Sequence, residues 1–222
     1  MTAAVAIVLG VCISFYFVSE IVAFIMRPMQ QLLPAGVTLI FTEPGEAFRL
    51  YLNVALVSGV ALASPVVLLL VWRLMAPPMY ARQKRWGITF ILMSSFLFVA
   101  GVAFSHYVVF PLTWRFFAGF ATDVVEFRPQ ITPALSMYLR LLVVFGVLFQ
   151  VPVLVLFLTR MRMVTASFLV RNFKYAIFVM VILAAVVTPD GGGVSMAAMI
   201  GPMMVLYAVS IGLAWAFRPK GA

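Results

Sequence analysis

Charge is what this sequence has least of. Asp, Glu, Lys and Arg make up 9% of 222 residues, only six are acidic, and there is one histidine and one cysteine. With no second thiol, Cys12 cannot close an internal disulfide; set in an apolar run, it reads as a small lipid- or helix-facing residue that says nothing about redox compartment. One histidine, no His-Glu-x-x-His and no Gly-x-Ser-x-Gly leave the common metal and nucleophile constellations unbuilt. Ser195, His106 and Asp190 could meet only by accident, since no spacing aligns them. The expectation is therefore no enzyme, no metal and no cofactor.

Hydrocarbon fills the space that charge leaves. Hydrophobic residues reach 65%, 21 of them Phe, against roughly 45–50% in ordinary soluble domains. They gather in stretches of about 20, the length that crosses a hydrocarbon core of about 30 Å at roughly 1.5 Å per residue. The alternating ten-residue segments of an outer-membrane barrel do not occur. Although the formal charge is +9, the basic residues lie in short connectors, where they set orientation rather than bind nucleic acid.

The pattern predicts an all-α polytopic membrane protein forming a single membrane domain over 1–222, with spans at about 2–26, 47–75, 86–110, 133–158, 173–187 and 194–217. The start carries no basic opening and no convincing cleavage site, so the first stretch reads as a retained helix rather than a signal peptide. Arg27-Pro28 ends the first span, and Leu33-Pro34-Ala35-Gly36 reads as a turn. Pro44 and Glu46 open the second span, with Glu46 supplying negative charge to its first turn. Pro111 is expected to end the third span and Pro133 to start the fourth. The apolar part of the fifth, Tyr175 to Val187, covers only about 20 Å and must borrow Arg171 to Lys174 by snorkelling or thin the bilayer. Thr188-Pro189-Asp190 and three glycines join it to the sixth.

Orientation follows from the cations. Arg73, Arg82, Lys84, Arg85, Arg160, Arg162, Arg171, Lys174, Arg218 and Lys220 share one side, which puts both termini in the cytoplasm. Glu20, Glu43, Glu46, Asp123, Glu126 and Asp190 lie on or near the other.

Polar groups inside the spans are functional candidates because lipid makes them costly. Gln150 stands mid-way through the fourth span, and Pro152 removes a helix hydrogen bond beside it. An amide at that bend could meet a guest peptide or simply bond a neighbouring helix. Glu20, His106 and Arg140 can reach water, pair with one another or pack. Pro65, Pro152 and Pro202 bend three helices, while Gly59, Gly101, Gly146 and Gly212 permit close approach. Curved helices of this kind enclose a concave face.

An ordered set of motifs resembles one family along almost the whole chain. Leu33-Pro34 with Gly36 comes first, then Pro44-x-Glu46-x-Phe48, Ser64-Pro65-Val66, and Trp72 with Pro77 and Tyr80. Gly101-x-Ala103-Phe104, Val108-Val109-Phe110-Pro111-Leu112, Phe145-Gly146-x-x-Phe149-Gln150-x-Pro152-Val153 and Thr188-Pro189-Asp190 follow. These resemble TatC motifs in TatC order. The resemblance implies a cup-shaped six-helix core subunit of the Sec-independent twin-arginine translocase in the bacterial inner membrane. Such a subunit binds the signal peptides of folded cargo, works with TatA- and TatB-like single-span proteins in a larger self-associating complex, and draws on the proton-motive force. Membrane lipids are its surroundings, and nucleic acid is not among its partners. On the same ground the signal peptide is expected at Arg82, Gln83, Arg85, Leu74 and the interior Gln150.

The chain departs from the family in three places. The usual His-Leu-x-Glu-Leu-Arg segment does not precede the first span, leaving truncation, a misassigned start and divergence as readings. Gln83 stands where a glutamate is expected to meet the signal's arginines, and Leu74 where Phe is frequent. A small-molecule or ion transporter is the alternative function. It would call for an inverted repeat and midplane charges, and the sequence shows neither.

Overall fold

The computed structural model describes residues 2–31, 45–75, 84–119, 130–187 and 193–217. In chain order the helices are α1 (Thr2–Tyr16), α2 (Val18–Gln31), α3 (Glu46–Met75), α4 (Lys84–Phe104), a π-helical turn (Ser105–Val109) and α5 (Phe110–Ala118). Then come α6 (Ile131–Leu148), α7 (Val151–Arg160), α8 (Ala166–Arg171), α9 (Phe173–Val187) and α10 (Gly193–Ala216). Among the described residues four runs are long and apolar enough to cross a bilayer: Glu46–Val71, Phe90–Ala118, Ile131–Arg160 and Met199–Ala216. The bent pair α1 and α2 supplies a fifth when taken as one span, and α9 remains a shorter apolar helix.

The expected continuous first span is broken. Between Thr2–Tyr16 and Val18–Arg27 the axis turns by 74°. Composition explains the turn. α1 is apolar around its whole circumference, with Val5, Val8, Leu9 and Ile13 all more than half exposed, as suits a helix facing lipid. α2 is amphipathic: Ile25 and Met29 are buried while Glu20, Arg27 and Gln30 are exposed. Turning at Phe17 lets that apolar stripe reach the core around Phe110, Trp114 and Tyr138 while its polar face stays outside.

The third span does not stop at Pro111. In the π-helical turn, the Phe110 amide donates to the Ser105 carbonyl five residues back, and Pro111 then falls in the first turn of α5. A proline there needs no backbone donor, so the helix passes through to Ala118. The fourth span starts two residues before Pro133, at Ile131, because Gln130 is extended and its carbonyl already accepts from the Ala134 amide at 3.3 Å. It is interrupted at Phe149-Gln150, next to Pro152, whereas Pro65 and Pro202 lie inside the continuous helices α3 and α10.

This interrupted helix is the centre of the bundle. Its apolar window is 44% buried, against 22–28% for the other three long spans. α4 packs on α6, α10 on α7, and α1 lies along α3. Glycine sets two of those approaches. A Cβ at Gly10 would fall 2.5 Å from the Gly59 carbonyl oxygen, and one at Gly59 would fall 2.5 Å from the Val11 Cα. At the second seam, a Cβ at Gly101 would meet the Phe145 carbonyl oxygen at 2.6 Å, and one at Gly146 the Phe98 ring at 2.9 Å. Gly212, expected to allow close approach, has no heavy atom within 4 Å of such a Cβ. Gly59→Ala should therefore cost about 1–3 kcal/mol of overpacking, while Gly212→Ala should be neutral or slightly stabilising through helix propensity. Thermal unfolding in detergent checks both; equal midpoints would contradict the packing described.

Candidate functional site

Two polar clusters sit inside the apolar bundle, and each lies where a helix departs from regular α geometry. The first is at the break between α6 and α7. With Pro152 contributing no amide, the chain tightens there: the Gln150 amide donates to the Val147 carbonyl at 2.9 Å, three residues back, and the Leu154 amide resumes the helix by donating to Gln150 O, also at 2.9 Å. The side chain of Gln150 turns to α4. Its Nε2 donates to the Ser94 carbonyl at 3.1 Å, and the Ser94 hydroxyl donates to its Oε1. Ser94 is buried and Gln150 partly so. Both ends of the amide are thus engaged by one residue of a neighbouring helix, and the bend and α4 are tied together. The sequence singled out Gln150 but not its partner; an isolated serine pair, Ser94-Ser95, within an apolar span was the signal available.

The second cluster is the π-helical turn. His106 is buried, and its Nδ1 lies 2.7 Å from the Tyr138 hydroxyl on α6. Its ring stacks on Phe24 of α2 with centroids 4.5 Å apart and planes within 13°. Tyr138 in turn meets Phe110 edge-on at 5.0 Å. A π-helical turn holds an extra residue, and in this one Ser105, His106 and Val109 are buried while Tyr107 and Val108 face outward. His106 therefore packs rather than reaching water, while Glu20 and Arg140 are exposed. Among the described residues no group of three His, Cys, Asp or Glu could hold a metal ion.

The remaining expected residues scatter. Glu46 is buried at the start of α3 and Phe48, two residues on, is exposed. Leu74 lies in the last turn of α3 and Arg85 in the first turn of α4, so these two helices bracket the connector that carries Arg82 and Gln83. Arg82, Gln83, Pro34, Pro44, Thr188, Pro189 and Asp190 lie outside the described residues.

With this arrangement in view, the comparisons with known proteins decide the family. The family described as Sec-independent protein translocase protein (TatC) matches residues 1–202. This chain belongs to the TatC family. A Sec-independent protein translocase protein TatC from Koribacter versatilis is 34% identical over 216 residues, covering 95% of this chain and 78% of that protein. One from Carboxydothermus hydrogenoformans is also 34% identical, covering 97% of this chain and 88% of its own length. In three dimensions the chain is similar to a crystal structure of the twin-arginine translocase receptor TatC in the detergent DDM. The TM-score is 0.87 at 28% identity, with 96% of this chain and 94% of the other covered. A second crystal structure of that receptor gives a TM-score of 0.88. The chain is accordingly a multi-pass membrane protein of a protein-translocation system, built on the TatC fold.

The Ser94–Gln150 bridge predicts a coupling between its two members. Ser94→Ala and Gln150→Leu should each lower stability, and a double-mutant cycle should return about 0.6–2 kcal/mol of interaction energy. Tyr138→Phe, which strips a partner from the buried His106 ring, should cost about 1–3 kcal/mol. Unfolding midpoints in detergent measure both; additive losses at Ser94 and Gln150 would show that the bridge does not act as a unit.

Proposed function

We propose that the chain is the signal-peptide-binding core subunit of a twin-arginine translocase. The match to the family over residues 1–202 carries this reading, together with TM-scores of 0.87 and 0.88 to the twin-arginine translocase receptor. It acts as a receptor and not as an enzyme. Its single membrane domain crosses the bacterial inner membrane six times, with α9 as the short fifth crossing and both termini in the cytoplasm. TatA- and TatB-like single-span proteins are its partners, in an assembly that contains further copies of the chain and moves folded cargo on the proton-motive force.

The signal peptide engages two regions in this scheme. Its arginines meet the connector of Arg82, Gln83 and Arg85, bracketed by Leu74 on α3, and its apolar stretch enters the concave interior toward Gln150. Pro34, Pro44, Glu46 and Phe48 shape the outer loop and the start of α3; Thr188, Pro189 and Asp190 close the last outer turn. Crosslinkers placed at 83 and 150 should both capture a twin-arginine signal peptide in membranes, and the chain should copurify with a TatB-like protein. Failure of both would defeat the proposal.

The connector generates a sharper expectation. Gln83 offers an arginine only a neutral amide oxygen, whereas a carboxylate would form a charge-assisted, frequently bidentate bond. The difference, on the order of 1 kcal/mol or more, predicts that Gln83→Glu tightens binding of a twin-arginine peptide roughly tenfold. A peptide with both arginines replaced by glutamine should gain nothing. Equal or weaker affinity of the variant for the arginine peptide would contradict this account of the connector.

A further inference from the structure

One groove on the membrane-facing surface belongs to neither polar cluster. It has a volume of about 680 Å³ and runs between α8 and the last two turns of α10, lined by Ala166, Ser167, Val170 and Arg171 on one side and Ala208, Ile211, Gly212 and Trp215 on the other. That volume lies within the roughly 300–1,000 Å³ typical of small-molecule sites. Its walls are held rigidly. Thr165 caps α8 by accepting from the Phe168 amide at 3.2 Å, and the Tyr207 hydroxyl of α10 donates to the Leu169 carbonyl at 3.0 Å. The ring of Tyr207 also lies 5.8 Å from that of Phe173.

The lining is amphipathic in a directed way. Val170, Ile211, Ala208 and Gly212 form an apolar trough, while Arg171 and Ser167 put a cation and a hydroxyl on the α8 side. Trp215 stands 69% exposed in the last turn of α10 and lines the groove together with Arg171, the last residue of α8. An exposed tryptophan beside a cation at the end of a span marks the headgroup level of a bilayer. The neighbouring cations are already set on aromatic faces, Arg160 at 5.3 Å from the Phe217 ring centroid and Lys174 at 5.1 Å from that of Tyr175. Nor does the surrounding chain bring an anion to Arg171, for no acidic residue occurs between Glu126 and Asp190.

We propose that this groove binds an anionic phospholipid of the surrounding leaflet, its phosphate on Arg171 and Ser167 and an acyl chain along Ala208, Ile211 and Gly212. Charge complementarity favours this occupant over an apolar helix of another protein, which would remove the guanidinium of Arg171 from water with nothing to balance it. The site asks only that the chain be embedded in a bilayer, so its failure would leave the translocase reading untouched.

The test is retention of lipid by the purified full chain in detergent, read by native mass spectrometry with equal amounts of phosphatidylglycerol and phosphatidylcholine. The native chain should retain phosphatidylglycerol roughly fivefold better, the effect of one well-placed cation. Arg171→Gln should bring the ratio close to one, while Arg171→Lys and the control Lys174→Gln keep it. Gly212→Leu, at a position with space for a side chain, should reduce retention of both lipids. Equal retention by the native chain, an unchanged ratio in Arg171→Gln, or full retention in Gly212→Leu would each overturn the site. So would a photocrosslinker at Ala208 that captures a polypeptide instead of lipid in membranes.

Discussion

In hydrocarbon a backbone amide or carbonyl finds no water, so every departure from α-helical hydrogen bonding has to be answered by protein. That constraint organises this bundle. Within its long spans the helix departs from α geometry at the π-helical turn of 105–109 and at Phe149-Gln150, and in both places the next available donors take over. At the first, a bond spanning five residues replaces one spanning four. At the second, a bond spanning three residues does so, and the amide of Gln150 ties the weak point to Ser94. Each departure also carries a polar side chain that meets a neighbouring helix, His106 on Tyr138 of α6 and Gln150 on Ser94 of α4.

Irregularity is thereby turned into position. Without the extra residue of the π-helical turn, Pro111 would fall in the interior of a helix that needs its amide. Glycine contributes in the same direction at Gly10, Gly59, Gly101 and Gly146, where backbones or ring edges occupy the place of a side chain. Helices in lipid gain little from burying apolar area against one another, so close van der Waals approach and a few interhelical hydrogen bonds carry their association.

The architecture was largely legible because lipid enforces a simple code: apolar length, cationic connectors and prolines at boundaries. The code fails where tertiary contact decides. Nothing in the run Thr2 to Met26 announces a 74° turn at Phe17; the turn follows from the amphipathic face of α2 finding the core of Phe110 and Tyr138. Pro111 reads as a stop because a π-helical turn has no sequence signature, and α8 was hidden inside a stretch that looked like a basic connector. Within the candidate site, Gln150 was visible as an amide in apolar surroundings. Ser94, 56 positions away, was not, since pairing across helices is a property of the packed bundle.

That pairing bears on how a guest could be recognised. A free amide inside a membrane would give a peptide the full benefit of a hydrogen bond in a medium without water. Gln150 offers less, because its oxygen already accepts from the Ser94 hydroxyl and its nitrogen already donates to the Ser94 carbonyl. An amide carries two N–H donors and two acceptor lone pairs, and Ser94 takes one of each, so a guest could bond what remains with Ser94 still in place. In the proposed function such an amide could meet the backbone of any peptide, and discrimination among peptides would fall to the charged connector, where an amide and a carboxylate differ most in what they offer an arginine.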